Sequence, residues 1–213
     1  MKKILVLNSS LRTLNSHSRK LTEVFIDHWK NNHANSAIVY RELGNGSVSH
    51  ISESWVNATH KPEAERSEEE IEILKMSTNY IAELRQADVI VMGVPMYNWS
   101  IPSALKAYID QIFRYNETFT VDPANTENPY VGLLENKTLF LMLSRGSAGY
   151  EKGEPNEHLN FQSNYLKTVF KIMGINNIHI VAVDGVSFDQ DVLKKTIVNS
   201  HQNVKDLIDQ EFA

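Results

Sequence analysis

The chain has 213 residues, 42% of them hydrophobic, enough for one substantial core, and residues 1–213 are expected to form a single domain. A formal charge of -5 with scattered Lys and Arg argues against nucleic acid or an anionic membrane as partner. The absence of cysteine rules out disulfides, thiolate zinc sites and cysteine-held iron–sulfur clusters. The apolar run in MKKILVLNSS, about five residues, is short of a signal-peptide core, and no segment nears the ~18 apolar residues of a membrane span. A soluble cytoplasmic protein is expected.

Residues 3–7 read as a first buried strand, followed by a polar, serine-rich loop over 8–17. Ser18 or a neighbour should cap a helix to about residue 33, with Leu21, Val24, Phe25 and Trp29 on one stripe. Residues 37–40 alternate weakly as a second strand, and Gly44-Asn45-Gly46 signals a turn. Residues 47–66, polar but carrying Trp55 and Pro62, read as an excursion over the surface. Ser67 and Glu70 form a capping box that opens a helix to about residue 86, its acidic start matched to the helix dipole.

The run 89–94 is almost wholly apolar, the composition of a central parallel strand covered on both faces. Ser100 is predicted to cap the next helix, with Pro102 in its first turn and Ile101, Leu105, Tyr108, Ile109 and Ile112 facing the sheet. A second excursion over 115–135 leads to a fourth strand at 138–143 and a loop at 144–150. Helical spacing from about 157 to 173 ends at Gly174, a C-terminal cap signal. A fifth strand at 178–183 and a terminal helix from Asp189 to residue 212 complete the chain. This alternation predicts an α/β, flavodoxin-like, doubly wound five-stranded parallel sheet of order 2-1-3-4-5, with helices on both faces.

In such a sheet, ligands bind beyond the carboxyl ends of the strands. The loop Pro95-Met96-Tyr97-Asn98-Trp99 stands there and holds no charged residue, so it suits a flat, partly apolar heterocycle better than a phosphate or a metal. The same side chains could simply plug the top of the core. The loop after the first strand has no glycine, so neither a dinucleotide fingerprint nor a Walker A pattern is present. It does bring the hydroxyls of Ser10, Ser16 and Ser18 to a helix N-terminus, an arrangement suited to a monophosphate or, equally, to ordinary capping. Together the two loops describe a pocket for flavin mononucleotide (FMN). A phospho-receiver would need acidic residues where Asn8, Ser9 and Ser10 stand. A hydrolase built on Ser10 would need a linked Asp and His, and Asp184 and His201 show no such spacing.

The residues also resemble a family. KKILVLNSS with Ser16-His17-Ser18, the block Pro95 to Pro102, LKAYIDQIFR with Thr118-Phe119, Gly132-Leu133-Leu134 and Ser144-Arg145-Gly146 are similar to the FMN-dependent NADH-azoreductases, which also act as NADH:quinone oxidoreductases. That resemblance implies that Ser10, Ser16, His17 and Ser18 hold the ribityl phosphate. It assigns Pro95, Met96, Tyr97, Asn98 and Trp99 to the flavin ring, and Ser144, Arg145, Gly146 and Ser147 to its pyrimidine side. Three positions depart from the family pattern. His17 stands where Gln is common, which would make phosphate affinity depend on pH; Ser147 and Asn116 stand where glycine is usual. Tyr150 lies in a loop one residue longer than in some relatives.

The resemblance further implies a homodimer in which the partner completes each crevice, with the two excursions building a lid and Phe119, Phe161 and Trp55 as candidate pocket-lining residues. The expected chemistry is ping-pong transfer of two electrons from NADH (or NADPH) through FMN to a quinone or an azo compound. No side chain acts as a nucleophile or metal ligand, and Asn98 is the candidate for tuning the ring. The alternative is a flavodoxin-like electron carrier without small-molecule turnover; the modest charge and the length favour the enzyme.

Overall fold

The apolar runs become strands, and their alternating side chains divide into two cores, one on each face of a sheet. The computed structural model describes residues 1–33, 35–187 and 190–212. In chain order the elements are β1 (Lys2–Asn8), α1 (His17–Asn32), β2 (Ser36–Glu42), α2 (Glu53–Thr59), α3 (Glu68–Gln86), β3 (Val89–Pro95) and α4 (Ser103–Ile112). They continue with β4 (Phe119–Val121), β5 (Tyr130–Gly132), β6 (Thr138–Ser144), α5 (Ser163–Ile172), β7 (Asn177–Val183) and α6 (Gln190–Glu211). The expected first residue of the last helix, Asp189, lies outside the described residues.

Five parallel strands form the sheet in the order β2-β1-β3-β6-β7. Its strands follow the expected sequence of pairings, but two more strands exist: β4 and β5 make a separate antiparallel hairpin inside the second excursion. Leu5, Ile90 and Leu139 pack with Leu84, Leu105 and Phe170 under α3, α4 and α5. Ile4, Val91 and Phe140 pack with Leu21, Phe25 and Ile208 under α1 and α6. β3 and β6 are buried at every residue, which is why their sequences carry no polar alternation.

The strands end together. Asn8 pairs with Gly93, Pro95 with Ser144 and Ser144 with Val183, so the loops after β1, β3, β6 and β7 open on one edge. Gly93 permits this closeness, since a Cβ there would meet the Asn8 Oδ1 at 2.7 Å and the Ser18 carbonyl oxygen at 3.1 Å, where α1 crosses the sheet.

Three expectations change. The first excursion is more than a surface path: α2 packs on α3, and Trp55 is buried, its indole N–H donating to Gln111 Oε1 at 3.0 Å. The fourth long helix is shorter than its periodicity; Glu157–Leu159 forms a separate 3₁₀ turn and α5 begins only at Ser163. Ser100 does not cap α4, because its backbone is paired with Tyr97, and Pro102 precedes the first helical residue instead. The capping box is as expected: Ser67 Oγ accepts from the Glu70 N–H, and Glu70 Oε2 accepts from the Ser67 N–H at 2.9 Å.

Among the described residues, no helix is long and apolar enough to cross a membrane.

Candidate active site

A cleft of about 190 Å³ opens at the shared strand edge, with three walls drawn from the loops after β1, β3, β6 and β7. Ser10, Arg12, Asn15, Ser16 and His17 form one wall, Pro95, Met96 and Tyr97 the second, and Ser144, Arg145, Gly146, Val186 and Ser187 the third. Among the described residues no carboxylate lines it, while two arginines and a histidine do. That balance suits a bound anion, and with the apolar second wall it fits a phosphate joined to a flat ring.

The first wall is held from below. Ser9 donates both its N–H, at 3.0 Å, and its hydroxyl, at 2.9 Å, to the Gly93 carbonyl, fixing the loop to β3. Arg19 organises the rest: its guanidinium pairs with Glu42 and also donates to the carbonyls of Ser10, at 2.7 Å, and Arg12, at 2.8 Å. Ser10 Oγ accepts from the Arg12 N–H at 3.2 Å. Ser16 is the N-cap of α1, its Oγ 3.3 Å from that of Ser18. Ser10, Ser16 and His17 thus border the cleft, whereas Ser18 is fully buried behind them. Burial holds the His17 imidazole below its ordinary value.

The second wall is a two-residue hairpin. Tyr97 and Ser100 exchange N–H to carbonyl bonds, both 3.0 Å, around Asn98 at φ 48° and Trp99 at φ 63°. Two successive positive φ values mark a type I′ turn, where Asn-Gly is the favoured pair. Asn tolerates that conformation; a tryptophan in it carries steric cost of about 1–2 kcal/mol. The Tyr97 hydroxyl accepts from the Leu11 N–H at 3.3 Å, joining this wall to the first. Asn98 does not line the cleft itself; with Tyr97, Lys106 and Tyr165 it borders an adjoining depression of about 520 Å³. Trp99 borders neither and is 53% exposed.

The third wall is double. Residues 145–147 run beside 183–187, with Arg145 N–H to Val183 O at 2.9 Å, Gly185 N–H to Ser147 O at 3.1 Å, Val186 N–H to Arg145 O at 3.2 Å and Ser187 N–H to Gly146 O at 3.1 Å. The Arg145 side chain is wholly buried: Nε donates to Gln162 at 2.9 Å, and Nη1 to Glu151 at 2.8 Å with Asp184 at 3.6 Å. Tyr150 lies under that guanidinium, 5.4 Å from ring centre to Cζ, and is buried away from the cleft. Desolvation pushes the Asp184 carboxyl up to about 6, Arg145 opposing the rise and Glu151 and Glu154 adding to it.

Neither excursion reaches this cleft. Phe119 stacks near Phe113, with ring centres 4.5 Å apart, on the hairpin that joins the far end of α5 through the Leu134 N–H to Met173 O bond of 2.8 Å. Trp55 is packed into the core, and Phe161 sits 59% exposed in a different surface depression. Among the described residues, then, neither excursion covers the cleft of its own chain.

Sequence reasoning missed Arg12, Asn15, Arg19, Val186 and Ser187. The last two were within reach, since the loop after the fifth sheet strand must also open at the carboxyl edge.

Fold and cleft together define a flavodoxin-like α/β protein. A family model described as "Flavodoxin-like fold" matches residues 2–208, and the chain belongs to that family, in the branch of the FMN-dependent NADH:quinone oxidoreductases. It is 36% identical over 206 residues to FMN-dependent NADH:quinone oxidoreductase 1 of Trichormus variabilis, covering 97% of this chain and 95% of that protein. It is likewise 36% identical over 208 residues to FMN-dependent NADH:quinone oxidoreductase of Herminiimonas arsenicoxydans, covering 98% and 99%. Among solved structures, the azoreductase from Bacillus anthracis str. Sterne superposes with a TM-score of 0.87 at 25% identity, over 97% of this chain and 98% of that one.

Proposed function

We propose that this chain is an FMN-dependent NADH:quinone oxidoreductase that also cleaves azo compounds reductively. The observation that carries this reading is the split character of one cleft, with serine hydroxyls, Arg12 and a helix N-terminus at one end and an apolar, aromatic loop at the other. When bound, FMN supplies the redox chemistry, accepting two electrons from NADH or NADPH and passing them to a quinone in one round or an azo bond in two. Ser10, Ser16 and His17 with the opening of α1 hold the phosphate, and Ser18 braces Ser16 from behind. Pro95, Met96, Tyr97 and the Asn98-Trp99 turn seat the ring, and the backbone of Ser144, Gly146 and Ser147 bounds its pyrimidine side. Arg145 acts from behind that edge. A single-domain protomer, a cytoplasmic setting and a homodimer whose partner completes the crevice belong to the same proposal.

The test is a visible spectrum after FMN addition and removal of excess, followed by anaerobic NADH. Retained flavin that bleaches in one two-electron step and recovers on adding a quinone or azo dye is expected. Retained flavin that NADH cannot reduce would turn the reading to an electron carrier, and no retained flavin would defeat the site assignment. Within that assay, Asn98→Ala should weaken flavin retention or slow both half-reactions; unchanged behaviour removes Asn98 from the ring-tuning role.

A further inference from the structure

The third wall contains an ionic arrangement that cofactor contact alone does not explain. Arg145 is a wholly buried cation with one exposed-side partner, Glu151, whose side chain is 48% exposed, and a second partner, Asp184, 3.6 Å away. Arg145 Nη2 and Asp184 Oδ1 both lack a hydrogen-bond partner among the described residues. Asp184 also sits at the centre of the backbone strap, between Val183, which accepts from the Arg145 N–H, and Gly185, which donates to the Ser147 carbonyl. The two strands of the wall are thus joined by four backbone bonds and by one ion pair.

Resting on the flavin reading above, we propose that Asp184 is a positioning residue: through the buried Arg145 guanidinium it keeps residues 144–147 against the loop after β7, and its charge governs how firmly the cleft retains FMN. A buried cation deprived of one of two counter-charges is costly, so the wall responds by opening toward solvent. The charged groups that act on Asp184 are Arg145 from the end of β6 and Glu151 and Glu154 from the turn before α5, while the neutral Gln162 at the start of α5 accepts from the far side of the Arg145 guanidinium. Across the cleft are Arg12 and His17, which do not pair with it. With the carboxyl pushed up to about 6, its charge is lost within a mildly acidic range that leaves ordinary carboxylates ionised.

The experiment measures FMN dissociation constants from about pH 8 to about pH 5, by quenching of flavin fluorescence, for the wild type and for three proteins that lack the imidazole titration: the parent His17→Gln, and that parent carrying Asp184→Asn or Glu151→Gln. Amide hydrogen exchange of residues 144–147 is followed in the same proteins without flavin. The expected result is that the parent loses about tenfold more affinity on acidification than Asp184→Asn, which binds weakly throughout and keeps only the dependence that the FMN phosphate's own ionisation at about pH 6 gives every variant. Glu151→Gln leaves Asp184 as the sole counter-charge and removes a carboxylate that raises its pKa, so the loss of affinity should be larger but set in at lower pH, with exchange at 144–147 quickening over the same range. Equal affinity and equal exchange in all three proteins across the range overturn the proposal. If the wild type binds no FMN, it is the flavin reading that fails, and the exchange measurement still tests the role of Asp184 in the wall because it needs no flavin.

Discussion

Trp99 holds a backbone conformation that asparagine or glycine would occupy at less cost, and more than half of its side chain is exposed, so core packing does not compensate for it. The strain is tolerated at the edge of the candidate site, where a large aromatic surface has a use that folding alone does not supply. Trp99→Gly should therefore leave the flavin-free protein as stable or more stable, by up to about 1 kcal/mol once the chain entropy of glycine is counted, while weakening FMN retention. Thermal unfolding and flavin titration check the two halves separately. His17 gives a second residue-scale expectation. Burial lowers its pKa, so the unfolded chain takes up the proton first, and folding stability from this group is lost as pH falls through the ordinary histidine value of about 6.5. A phosphate dianion against the ring reverses that preference. The His17 resonances should titrate at higher pH with FMN than without it, and no movement would separate His17 from the phosphate.

The elements were legible where hydrophobic spacing and local capping agree. β3 is read directly from its unbroken apolar run, and α3 from a capping box that the structure forms in full. Less was legible where distant residues decide the outcome. Ser100 has the chemistry of a cap, but reciprocal bonds to Tyr97 draw it into the hairpin. Trp55 lies in a polar stretch, yet it is buried because Gln111, 56 positions away, offers its amide oxygen. The β4–β5 hairpin is too short to leave a periodic signal, and it depends on a close approach: a Cβ on Gly132 would stand 2.1 Å from the Gly174 amide nitrogen. Gly132→Ala should accordingly cost about 3 kcal/mol by forcing the hairpin off the end of α5, measured by denaturant unfolding. The candidate site divides in the same way. Sequence placed Ser10, Ser16 and the Pro95–Tyr97 loop at the edge where the cleft lies, but not the set-back of Ser18 and Asn98, nor the inward turn of Arg145, which needs Gln162, Glu151 and Asp184 in place.

At the scale of the whole molecule, the cleft joins two chemically different halves across the sheet, and each should contribute to ligand-linked stability. FMN at about a hundredfold excess over its dissociation constant should stabilise the fold by about 2.7 kcal/mol. Riboflavin at the same concentration, lacking the phosphate, should give a smaller rise in melting temperature, and equal rises would mean that the serine end of the cleft is idle. The double third wall has a further consequence, in the order of events during synthesis. Its outer segment, residues 183–187, begins at the last residue of the last sheet strand and is bonded to residues about forty positions earlier. Until β7 has docked beside β6, the loop at 144–147 has no support and the cleft lacks one side. A nascent chain emerging from the ribosome can therefore fold β1 to β6 around a core and still be unable to take up its cofactor, so that flavin loading marks the end of folding and not its beginning.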